Sequence, residues 1–448
     1  MEQKMSERLI HENPKLSYRF GFLGIGMGGT SVAAACADIT TDVKNDRYPY
    51  TAVLINSNEI DLEKVTHQNP SVKKVLIGQG KGAGRDIKVG EALYKSEIAK
   101  VDEAIKSQFT NVDYMWLVVG LGGGTGTGSV IQAIGSLMKN GFKNKFGLIL
   151  TLPRLEEGRT VINNALQRLK IIHGAMDNLG PIMLIDNQKL FTQYIERNPN
   201  ASIADYLKFS NTYVADALHD LNVVTASYLP AGENHFDSSE FGIMLRTPGL
   251  IHFARFNAKP HTIDVAQSLS YSTKIKEEVE NGVISDGYDL AVAKRAALSV
   301  LSNKVHSKRL YTVEFNRELE GLLSSLAKRA TEKPVAFYSY DHKRNDQTGK
   351  DNVFFYAVFA GLDLPEQRIA ELMDADRAAA EAEKLNDMKI NKNLFDGFEE
   401  ADSSLLGVKQ DKTFDDLFGT SSNEVQPSES ANETDDIEDE LRSLGLLK

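Results

Sequence analysis

The first part of the chain, up to residue 200, alternates short apolar runs with stretches of helical periodicity. The runs are rich in Val, Ile and Leu and are too short for helices, which is typical of strands buried on both faces of a parallel sheet. They cover residues 19–23, 51–55, 75–77, 112–119, 145–153 and 181–185. Because helical patterns separate them, the sequence predicts an α/β domain with a doubly wound parallel sheet.

The pattern changes after residue 200. Residues 201–228 are periodic throughout and predict a long central helix. Strands are then predicted at residues 251–256, 308–315, 333–340 and 353–361, and an amphipathic helix at residues 286–303 with Asp286 as its N-cap. An Ala- and Glu-rich stretch at residues 366–391 predicts a long surface helix. We therefore expect a second, smaller α/β domain followed by a long C-terminal helix.

A glycine run at residues 120–129, GLGGGTGTGS, lies between a predicted strand and a predicted helix. Glycines let the backbone take positive φ and come close to a ligand, and the following helix points unpaired N–H groups at the turn. With the hydroxyls of Thr125 and Thr127, this pattern predicts a site for a polyphosphate. A packing turn is the alternative, but it needs fewer glycines. No Lys follows the glycines, which excludes a Walker A loop.

A second glycine run follows the first strand, where Gly24, Gly26 and Gly29 match G-x-G-x-x-G. This is the dinucleotide-binding pattern, so an NAD(P)-dependent oxidoreductase is the alternative function. The second strand argues against it, because it ends at Asn56 where that fold has a carboxylate for the ribose; Glu59 comes slightly late. The dinucleotide interpretation also leaves the other glycine run unexplained.

A third glycine-rich loop, residues 80–85, follows the short third strand. Arg85 has two open roles, since it could pair with a phosphate or be a solvated loop residue. Asp86 could bind Mg²⁺ through water.

Composition constrains the folded part little, but it distinguishes the C-terminal tail from the rest of the chain by its charge. The only cysteine, Cys36, lies on an apolar helical run and is expected to be core. The N-terminus lacks a signal-peptide pattern and the chain lacks a long apolar run, so we expect a cytoplasmic protein that contacts no membrane. Residues 393–448 contain 15 acidic and 4 basic residues, a net charge of −11, which is the net charge of the whole chain. The tail is thus predicted to be disordered, with its apolar clusters serving as recognition elements.

The signature run at residues 120–129 resembles that of the tubulin superfamily, which includes tubulin and FtsZ. The resemblance covers residues 19–392, and the chain is similar to the TubZ/RepX group of plasmid-borne tubulin-like GTPases of bacilli. It implies a GTPase that binds GTP and GDP with Mg²⁺ and polymerises head to tail into cytoskeletal filaments. It also implies plasmid segregation through a DNA-binding adaptor protein held by the C-terminal tail. Direct nucleic-acid binding is not expected, because the chain has no basic stripe and its tail would be repelled by phosphate.

The resemblance implies a set of nucleotide-binding residues but no assigned metal ligand. Pro153 and Glu157 would contact the ribose, Asn187 would read guanine unless it caps a helix, and Phe209 would hold the base. Tyr213 replaces an acid of the family, and a core aromatic is an equal alternative. The full set is Gly26, Met27, Gly28, Gly29, Asn56, Gly82, Ala83, Gly84, Arg85, Gly122, Gly123, Gly124, Thr125, Gly126, Thr127, Gly128, Pro153, Glu157, Arg159, Asn187, Phe209 and Tyr213.

The loop after the long helix is expected to carry the catalytic residues. Where FtsZ has Asn-x-Asp-x-x-Asp, this chain has His235, Asp237 and Glu240. The resemblance implies that Asp237 and Glu240 act on the nucleotide of a neighbouring subunit, orienting water or holding the metal. The alternative is that Asp237 and Glu240 form only a helix-capping pattern. A filament protein that does not hydrolyse GTP is the other rival function.

These observations divide the chain into six regions. They are an N-terminal arm at residues 1–18, a GTP-binding domain at 19–200, the central helix at 201–230, a second, GTPase-activating domain at 231–362, the C-terminal helix at 363–392 and a disordered acidic tail at 393–448.

Overall fold

A computed structural model describes residues 14–41, 43, 46–340, 352–393 and 430–447. Its strands are β1 (Phe20–Ile25), β2 (Thr51–Asn56), β3 (Lys73–Leu76), β4 (Tyr114–Gly120), β5 (Phe146–Leu152), β6 (Pro181–Asp186), β7 (Leu229–Pro230), β8 (Gly249–Ala258), β9 (Arg295–Asn303), β10 (Val335–Tyr340) and β11 (Val353–Leu362).

The α-helices lie between these strands and after the last of them. They are α1 (Gly26–Ala37), α2 (Glu59–Lys64), α3 (Ile87–Ser96), α4 (Ile98–Gln108), α5 (Gly124–Leu137), α6 (Arg159–Gly174), α7 (Asn187–Arg197), α8 (Ile203–Ser227), α9 (Ser238–Met244), α10 (Ser272–Asn281), α11 (Lys304–Leu310), α12 (Val313–Leu326), α13 (Glu366–Asn393) and α14 (Ser430–Ser443). None of the described helices combines the length and apolarity needed to cross a bilayer.

The described strands form one sheet in the order β3-β2-β1-β4-β5-β6-β8-β11-β9-β10-β7. The first six of these are parallel, and their order is that of a doubly wound sheet, as the sequence predicted. Strand order reverses between β1 and β4, so this pair marks the switch point where such sheets bind ligands. The sheet continues into the second half of the chain through a short parallel pairing of β6 with β8.

Helices cover both faces of the sheet and give two apolar cores. Alternate residues of β1 enter different cores, with Leu23 and Ile25 on one face and Phe20 and Phe22 on the other. This two-sided burial explains why the predicted strands read as continuous apolar runs rather than as alternating ones. Cys36 of α1 is buried in the second core, and this burial raises the pKa of its thiol.

The central helix α8 spans 25 residues and is the longest element of the second core. Ser202 and Asp205 form a capping box at its start, with each side chain accepting from the other residue's backbone N–H. Its C-terminal half is buried, and it holds the end of the N-terminal arm. Asn222 accepts from the N–H of Tyr18 at 2.9 Å and donates to its carbonyl at 2.7 Å.

Two predictions for the second half of the chain are wrong. Residues 286–303 do not form a helix with Asp286 as its N-cap; they contain a short turn and then β9. Eight of the nine residues of β9 are buried, between β10 and β11, so its apolar residues show no alternation and its alanines suggested a helix. Residues 308–315, predicted as a strand, belong to α11 and α12, which Thr312 separates by capping α12.

The C-terminal tail is also not disordered throughout. Residues 394–429, which include two of its apolar clusters, lie outside the described residues. The last cluster lies in a described segment, residues 430–447, where α14 packs against the body with Leu441 and Leu446 buried. The acidic composition suggested disorder because it cannot reveal an apolar face that matches another part of the same chain.

Candidate nucleotide-binding site

The two main glycine runs meet at the carboxyl ends of β1 and β4. A Cβ atom on Gly26 would lie 3.0 Å from the nitrogen of Gly126, and one on Gly28 would lie 3.5 Å from the Cα of Gly120. Gly26 has a φ of 72°, which favours glycine. The glycines are therefore needed for the close approach of α1 and α5, whose N-termini face the same cleft. Unpaired helical N–H groups at both ends suit this cleft to an anion.

The cleft is lined by backbone more than by the threonine hydroxyls that the sequence suggested. Thr127 is fully buried, and its Oγ1 accepts from the N–H of Gly122 at 2.8 Å, which shapes the turn. The hydroxyl of Thr125 lies 2.6 Å from that of Ser57. Gly123, in contrast, is exposed, and a Cβ there would have no heavy atom within 4 Å. Backbone N–H groups near Gly123 are thus the open part of the loop.

The third glycine loop closes over the start of α5. Gly82, Gly84 and Arg85 have φ values of 82°, 57° and 66°, so the loop turns through left-handed conformations. Asn164 of α6 fixes the loop, because its Nδ2 donates both to the carbonyl of Arg85 at 2.8 Å and to that of Gly122 at 3.0 Å. The Arg85 side chain is exposed.

Two residues beside these loops have distinct roles. Asp86 caps α3, with Oδ1 accepting from the N–H groups of Lys88 and Val89, so the structure explains its carboxylate by helix capping. Asn56 is buried at the end of β2, and its Nδ2 has no hydrogen-bond partner among the described residues. A buried amide donor without a partner is costly, so it is available to a ligand in the cleft.

The predicted ribose and guanine residues lie together on the far side of the cleft. Pro153 and Glu157 belong to the loop between β5 and α6, and Asn187 opens α7. Asp186 rather than Asn187 is the N-cap, since its Oδ1 accepts from the N–H of Gln188 at 3.0 Å. The Asn187 side chain is therefore not used in capping. Part of Glu157 is already engaged, because its Oε1 accepts from the N–H of Arg154 at 2.9 Å.

Arg159 is directed at the C-terminal helix rather than at the cleft. Its guanidinium forms ion pairs with Asp376 and Glu383 of α13, the first at 3.6 Å. These contacts hold the N-terminus of α6 against α13. The structure thus gives no support to a nucleotide contact by Arg159.

Phe209 and Tyr213 form part of an aromatic row on α8. The ring of Phe209 stacks with that of Tyr194, with centroids 4.7 Å apart, and with that of Tyr213, with centroids 5.3 Å apart. The guanidinium of Arg255 lies over the Tyr213 ring at 5.4 Å. Burial raises the pKa of Tyr213. This packing agrees with the alternative that Tyr213 is a core aromatic, and it places Phe209 between Tyr213 of α8 and Tyr194 of α7.

The predicted catalytic loop lies at the other edge of the sheet. The carbonyl oxygen of Ser238, at the start of α9, accepts a hydrogen bond of 3.0 Å from the hydroxyl of Tyr18. Tyr18 comes just before β1. The glycine run follows the opposite end of β1, and six residues of strand span about 20 Å. Asp237 therefore cannot reach the cleft of its own chain.

Asp237 and Glu240 differ in environment. Asp237 is exposed and caps α9, with Oδ1 accepting from the N–H groups of Ser239 at 2.8 Å and Glu240 at 3.1 Å. Glu240 is partly buried, and one of its carboxylate oxygens has no hydrogen-bond partner among the described residues. Burial, and next the negative charges of Asp237 and Glu332, raise the pKa of the Glu240 carboxyl. Asp237 is thus a helix cap as well as an accessible carboxylate.

The described part of the chain contains no group of three or more His, Cys, Asp or Glu residues placed to hold a metal ion. A metal at this cleft would have to take most of its ligands from elsewhere. Mg²⁺ commonly does so by binding substrate phosphates and water.

Two residues that shape the site were not predicted from the sequence. Asn164 ties two glycine loops together, as described above. Arg368, in the first turns of α13, is buried. It contacts both the loop predicted to bind the ribose and the residue before Asn187, which is predicted to bind guanine. Its Nη2 donates to the carbonyl of Pro153 at 2.8 Å, and its Nε lies 3.0 Å from Asp186. Neither residue lies in a motif, so only the fold could reveal them.

Comparison with known proteins gives matches along most of the chain. Residues 20–194 match the family described as Tubulin/FtsZ family, GTPase domain, and residues 234–366 match Tubulin-like protein TubZ, C-terminal domain. The TubZ proteins of Bacillus cereus and Bacillus anthracis are each 39% identical over 387 residues, which is 85% of this chain and 88% of theirs.

Solved structures agree with this fold. A GTPγS-form protofilament of Bacillus thuringiensis serovar israelensis TubZ superposes with a TM-score of 0.70 at 20% identity, over 84% of this chain and 95% of that one. A structure described as type III plasmid segregation TubZ gives a TM-score of 0.65 at 19% identity, over 83% and 94% of the respective chains.

Proposed function

Because this chain belongs to the TubZ family of tubulin-like GTPases, we propose that it polymerises head to tail into filaments and hydrolyses GTP where two subunits meet. The observation that carries the proposal is the separation of the two parts of the site. The main glycine run of the first strand follows the carboxyl end of β1. Ser238, next to Asp237, is instead hydrogen-bonded to Tyr18, which precedes the amino end of β1. A second subunit must therefore supply Asp237 to the cleft.

In this proposal GTP lies across the switch point of the sheet. Backbone N–H groups at the starts of α1 and α5 bind the phosphates, and the loop of Gly82, Ala83, Gly84 and Arg85 covers the γ-phosphate end. The ribose lies against the loop of Pro153 and Glu157. The guanine lies at Asn187, whose side chain takes no part in the helix cap. An amide presents both a donor and an acceptor, as recognition of a guanine edge requires.

The second subunit contributes the α9 end of its own fold. Its exposed Asp237 orients the attacking water, and Glu240, one turn along the helix, provides a second carboxylate whose pKa is raised by burial. The two surfaces that meet are different, so the contact is heterologous and adds subunits without closing. Hydrolysis follows assembly because an isolated subunit lacks part of the site. The TubZ protofilament of B. thuringiensis supports such an arrangement.

Magnesium fits this site as a partner of the nucleotide. The carboxylate of Asp86, at the end of the third glycine loop, is occupied in capping α3. We therefore expect the ion to be held mainly by phosphate oxygens and water, where it would neutralise charge on the transferring phosphoryl group.

We further propose that the filament segregates a plasmid through a DNA-binding adaptor that recognises the C-terminal tail. The relative described as a type III plasmid segregation protein supports this role. The tail, with its net charge of −11 over residues 393–448, would be repelled by DNA, so the adaptor must provide the DNA contact. Deleting residues 393–448 should abolish adaptor binding; an adaptor that still binds would place the contact elsewhere.

The direct test measures sedimentation and phosphate release together on the purified chain, with GTP, GDP or NAD over a concentration series. Pelleting and phosphate release with GTP alone, both above one critical concentration, are expected. Pelleting without phosphate release would mean a filament that does not hydrolyse GTP. Absence of both, with NAD binding that GTP does not displace, would instead favour the oxidoreductase.

A further inference from the structure

The terminal helix α14 is docked on the side of the sheet that carries α3, α5 and α6. Leu441 and Leu446 are buried in the apolar core of that side, and Ile437, Leu444 and Leu447 pack against it. These are all the apolar side chains of the terminal cluster from Ile437 onward. The segment has thus no apolar face left over while it is docked.

The end of the helix is built for this position. Gly445 has a φ of 71°, its N–H donates to the carbonyl of Arg442 at 2.9 Å, and that of Leu446 donates to the carbonyl of Leu441 at 2.8 Å. This is the Schellman pattern, which reverses the chain after a helix and brings the residue that follows glycine onto the helix side. The carbonyl of Leu446 then accepts from Asn178 at 3.0 Å.

Polar contacts of Glu440 connect the same helix to two elements of the body. Its Oε2 accepts from Nε2 of Gln132 in α5 at 3.1 Å and lies 3.3 Å from Nζ of Lys95 in α3. Close by, Arg168 of α6 is almost fully buried, with Glu91 of α3 at 3.9 Å. Burial lowers the pKa of Arg168. The negative charges of Glu91 and Glu440 act in the opposite direction and favour the charged guanidinium. The terminal segment therefore crosses α3, α5 and α6 and contributes charge to their junction.

Each of these three helices begins at a loop of the nucleotide cleft. α3 follows the glycine loop that ends at Arg85, α5 starts in the signature run, and α6 follows the loop of Pro153 and Glu157. Their starts interlock: a Cβ on Gly90 would lie 2.1 Å from the carbonyl oxygen of Gly124, so α3 and α5 touch backbone to backbone. A displacement of one of these helices at the cleft must therefore also change the contacts that this helix makes with α14.

We propose that the surface of α3, α5 and α6 is a reversible docking site for the chain's own terminal helix, and that its occupation is coupled to nucleotide binding at the cleft. The inference rests on the proposed nucleotide site. It deepens that function by assigning the terminal segment a regulatory role in addition to any partner that it binds.

The direction of the coupling follows from the docked structure. With α14 in place, the loop of Arg85 is closed and tied to α6 through Asn164. A γ-phosphate would bind the N–H groups of this closed loop, so it stabilises the same arrangement of α3 and α6 that the docked helix spans. GTP should therefore favour docking more than GDP does, and docking should favour GTP by the same factor.

The experiment measures hydrogen exchange of the backbone amides of residues 437–447 in the full chain. It compares GDP with the GTP analogue GTPγS, below the concentration at which sedimentation detects polymer, because assembly could itself protect these amides. Exchange should be about fivefold slower or more with the analogue. Equal exchange in the two states, with both nucleotides bound, would overturn the coupling.

Matched variants test the reciprocal effect. Glu440→Gln weakens contacts to Lys95 and Gln132, whereas Asp439→Asn alters a neighbouring carboxylate that is exposed and pairs with Arg442 within α14. A groove variant, Gly135→Met, leaves the tail unchanged and places a side chain where Leu444 packs, 3.5 Å from a Cβ at that position.

Glu440→Gln and Gly135→Met should speed exchange of residues 437–447 and weaken GTPγS binding more than GDP binding; Asp439→Asn should do neither. Faster exchange with unchanged nucleotide affinities would leave α14 as a docked but uncoupled segment and would contradict the proposal. Loss of all nucleotide binding in the unaltered chain would instead refute the nucleotide site itself.

Discussion

The hydroxyl of Tyr18 donates a hydrogen bond of 3.0 Å to the carbonyl oxygen of Ser238. This contact joins the segment that leads into β1 to the start of the α9 helix. It places Asp237 at the amino edge of the parallel strands, whereas all the glycine loops lie at their carboxyl edge. The two halves of the hydrolytic site are thus separated within one chain by the length of a strand, about 20 Å.

Replacing Asp237 should separate assembly from hydrolysis. Asp237→Asn keeps a side chain that can cap α9 but removes the charge, so we expect polymerisation with GTP and a loss of phosphate release of about 10²-fold or more. Asp237→Ala should lose in addition about 1 kcal/mol of stability, because the cap is lost. Sedimentation, phosphate release and urea unfolding separate these effects. Normal turnover by Asp237→Asn would contradict the catalytic role.

Gly123 offers a way to block phosphate binding without disturbing the fold. Its Cα is exposed, and a side chain there meets no protein atom within 4 Å. Gly123→Glu should therefore fold normally while its carboxylate repels the phosphates of GTP, lowering affinity by at least roughly tenfold. Gly174→Glu is the matched control, since Gly174 also has open space but lies at the far end of α6. Equal GTP affinities of the two variants, measured by titration, would contradict the placement of the phosphates.

Arg368 should stabilise the ribose and guanine side of the site. It is buried and contacts both Asp186 and the Pro153 carbonyl, so Arg368→Met leaves a buried carboxylate without its cation. We expect a loss of about 3 kcal/mol in the free energy of unfolding, together with weaker GTP binding. The double variant Arg368→Met/Asp186→Asn should recover part of the stability.

Arg377→Met provides the control for Arg368, because Arg377 lies on the same helix but is exposed and forms an ion pair at 3.1 Å with Asp374 of that helix. It should change the free energy of unfolding by no more than about 0.5 kcal/mol. If urea unfolding gives Arg368→Met the same small effect, the link between α13 and the nucleotide site does not matter energetically.

His252 should make stability depend on pH. Burial lowers the pKa of this imidazole to about 4, and its Nε2 lies 2.6 Å from the carbonyl oxygen of Val279, to which it donates. The pKa of a histidine in the unfolded chain is about 6.5. Below that pH the unfolded state therefore binds a proton that the folded state does not bind. Stability contributed by neutral His252 is thus present above pH 6.5 and is lost as the pH falls toward about 4.

The variant His252→Gln keeps a donor for Val279 but does not titrate. Its stability relative to the unaltered chain should therefore improve on acidification from pH 7 to pH 5, by roughly 2 kcal/mol. Urea unfolding at both pH values measures this difference directly. A difference that does not change with pH would show that His252 is not held neutral.

The nucleotide half of the fold could be predicted from the sequence because its signals are local. Strands such as β4 are single apolar runs, and the glycines of residues 120–128 sit where a strand turns into a helix. The second half was harder. β9 is buried on both faces and contains alanines, so its sequence does not distinguish strand from helix, and α11 and α12 depend on the cap at Thr312.

Long-range pairings could not be predicted at all. Arg368 lies far along the chain from Pro153 and Asp186, and nothing in its local sequence marks it as buried. The docking of α14 is a similar case. Its acidic composition suggests a solvated tail, whereas Leu441 and Leu446 find a matching apolar surface more than 250 residues away in the sequence, with Asn178 a direct partner at a separation of 268. Complementarity of this kind is visible only in three dimensions.

The most direct test of the shared site mixes two variants that are each impaired, at a GTP concentration that does not saturate Gly123→Glu. Gly123→Glu retains Asp237 but binds GTP weakly, and Asp237→Asn binds GTP but lacks the catalytic carboxylate. If two subunits form one site, the mixture should release phosphate well above the sum of the separate variants, because Asp237 of one variant reaches GTP bound to the other. If each chain completes its own site, the mixture will release no more than that sum, and the account of hydrolysis between subunits is wrong.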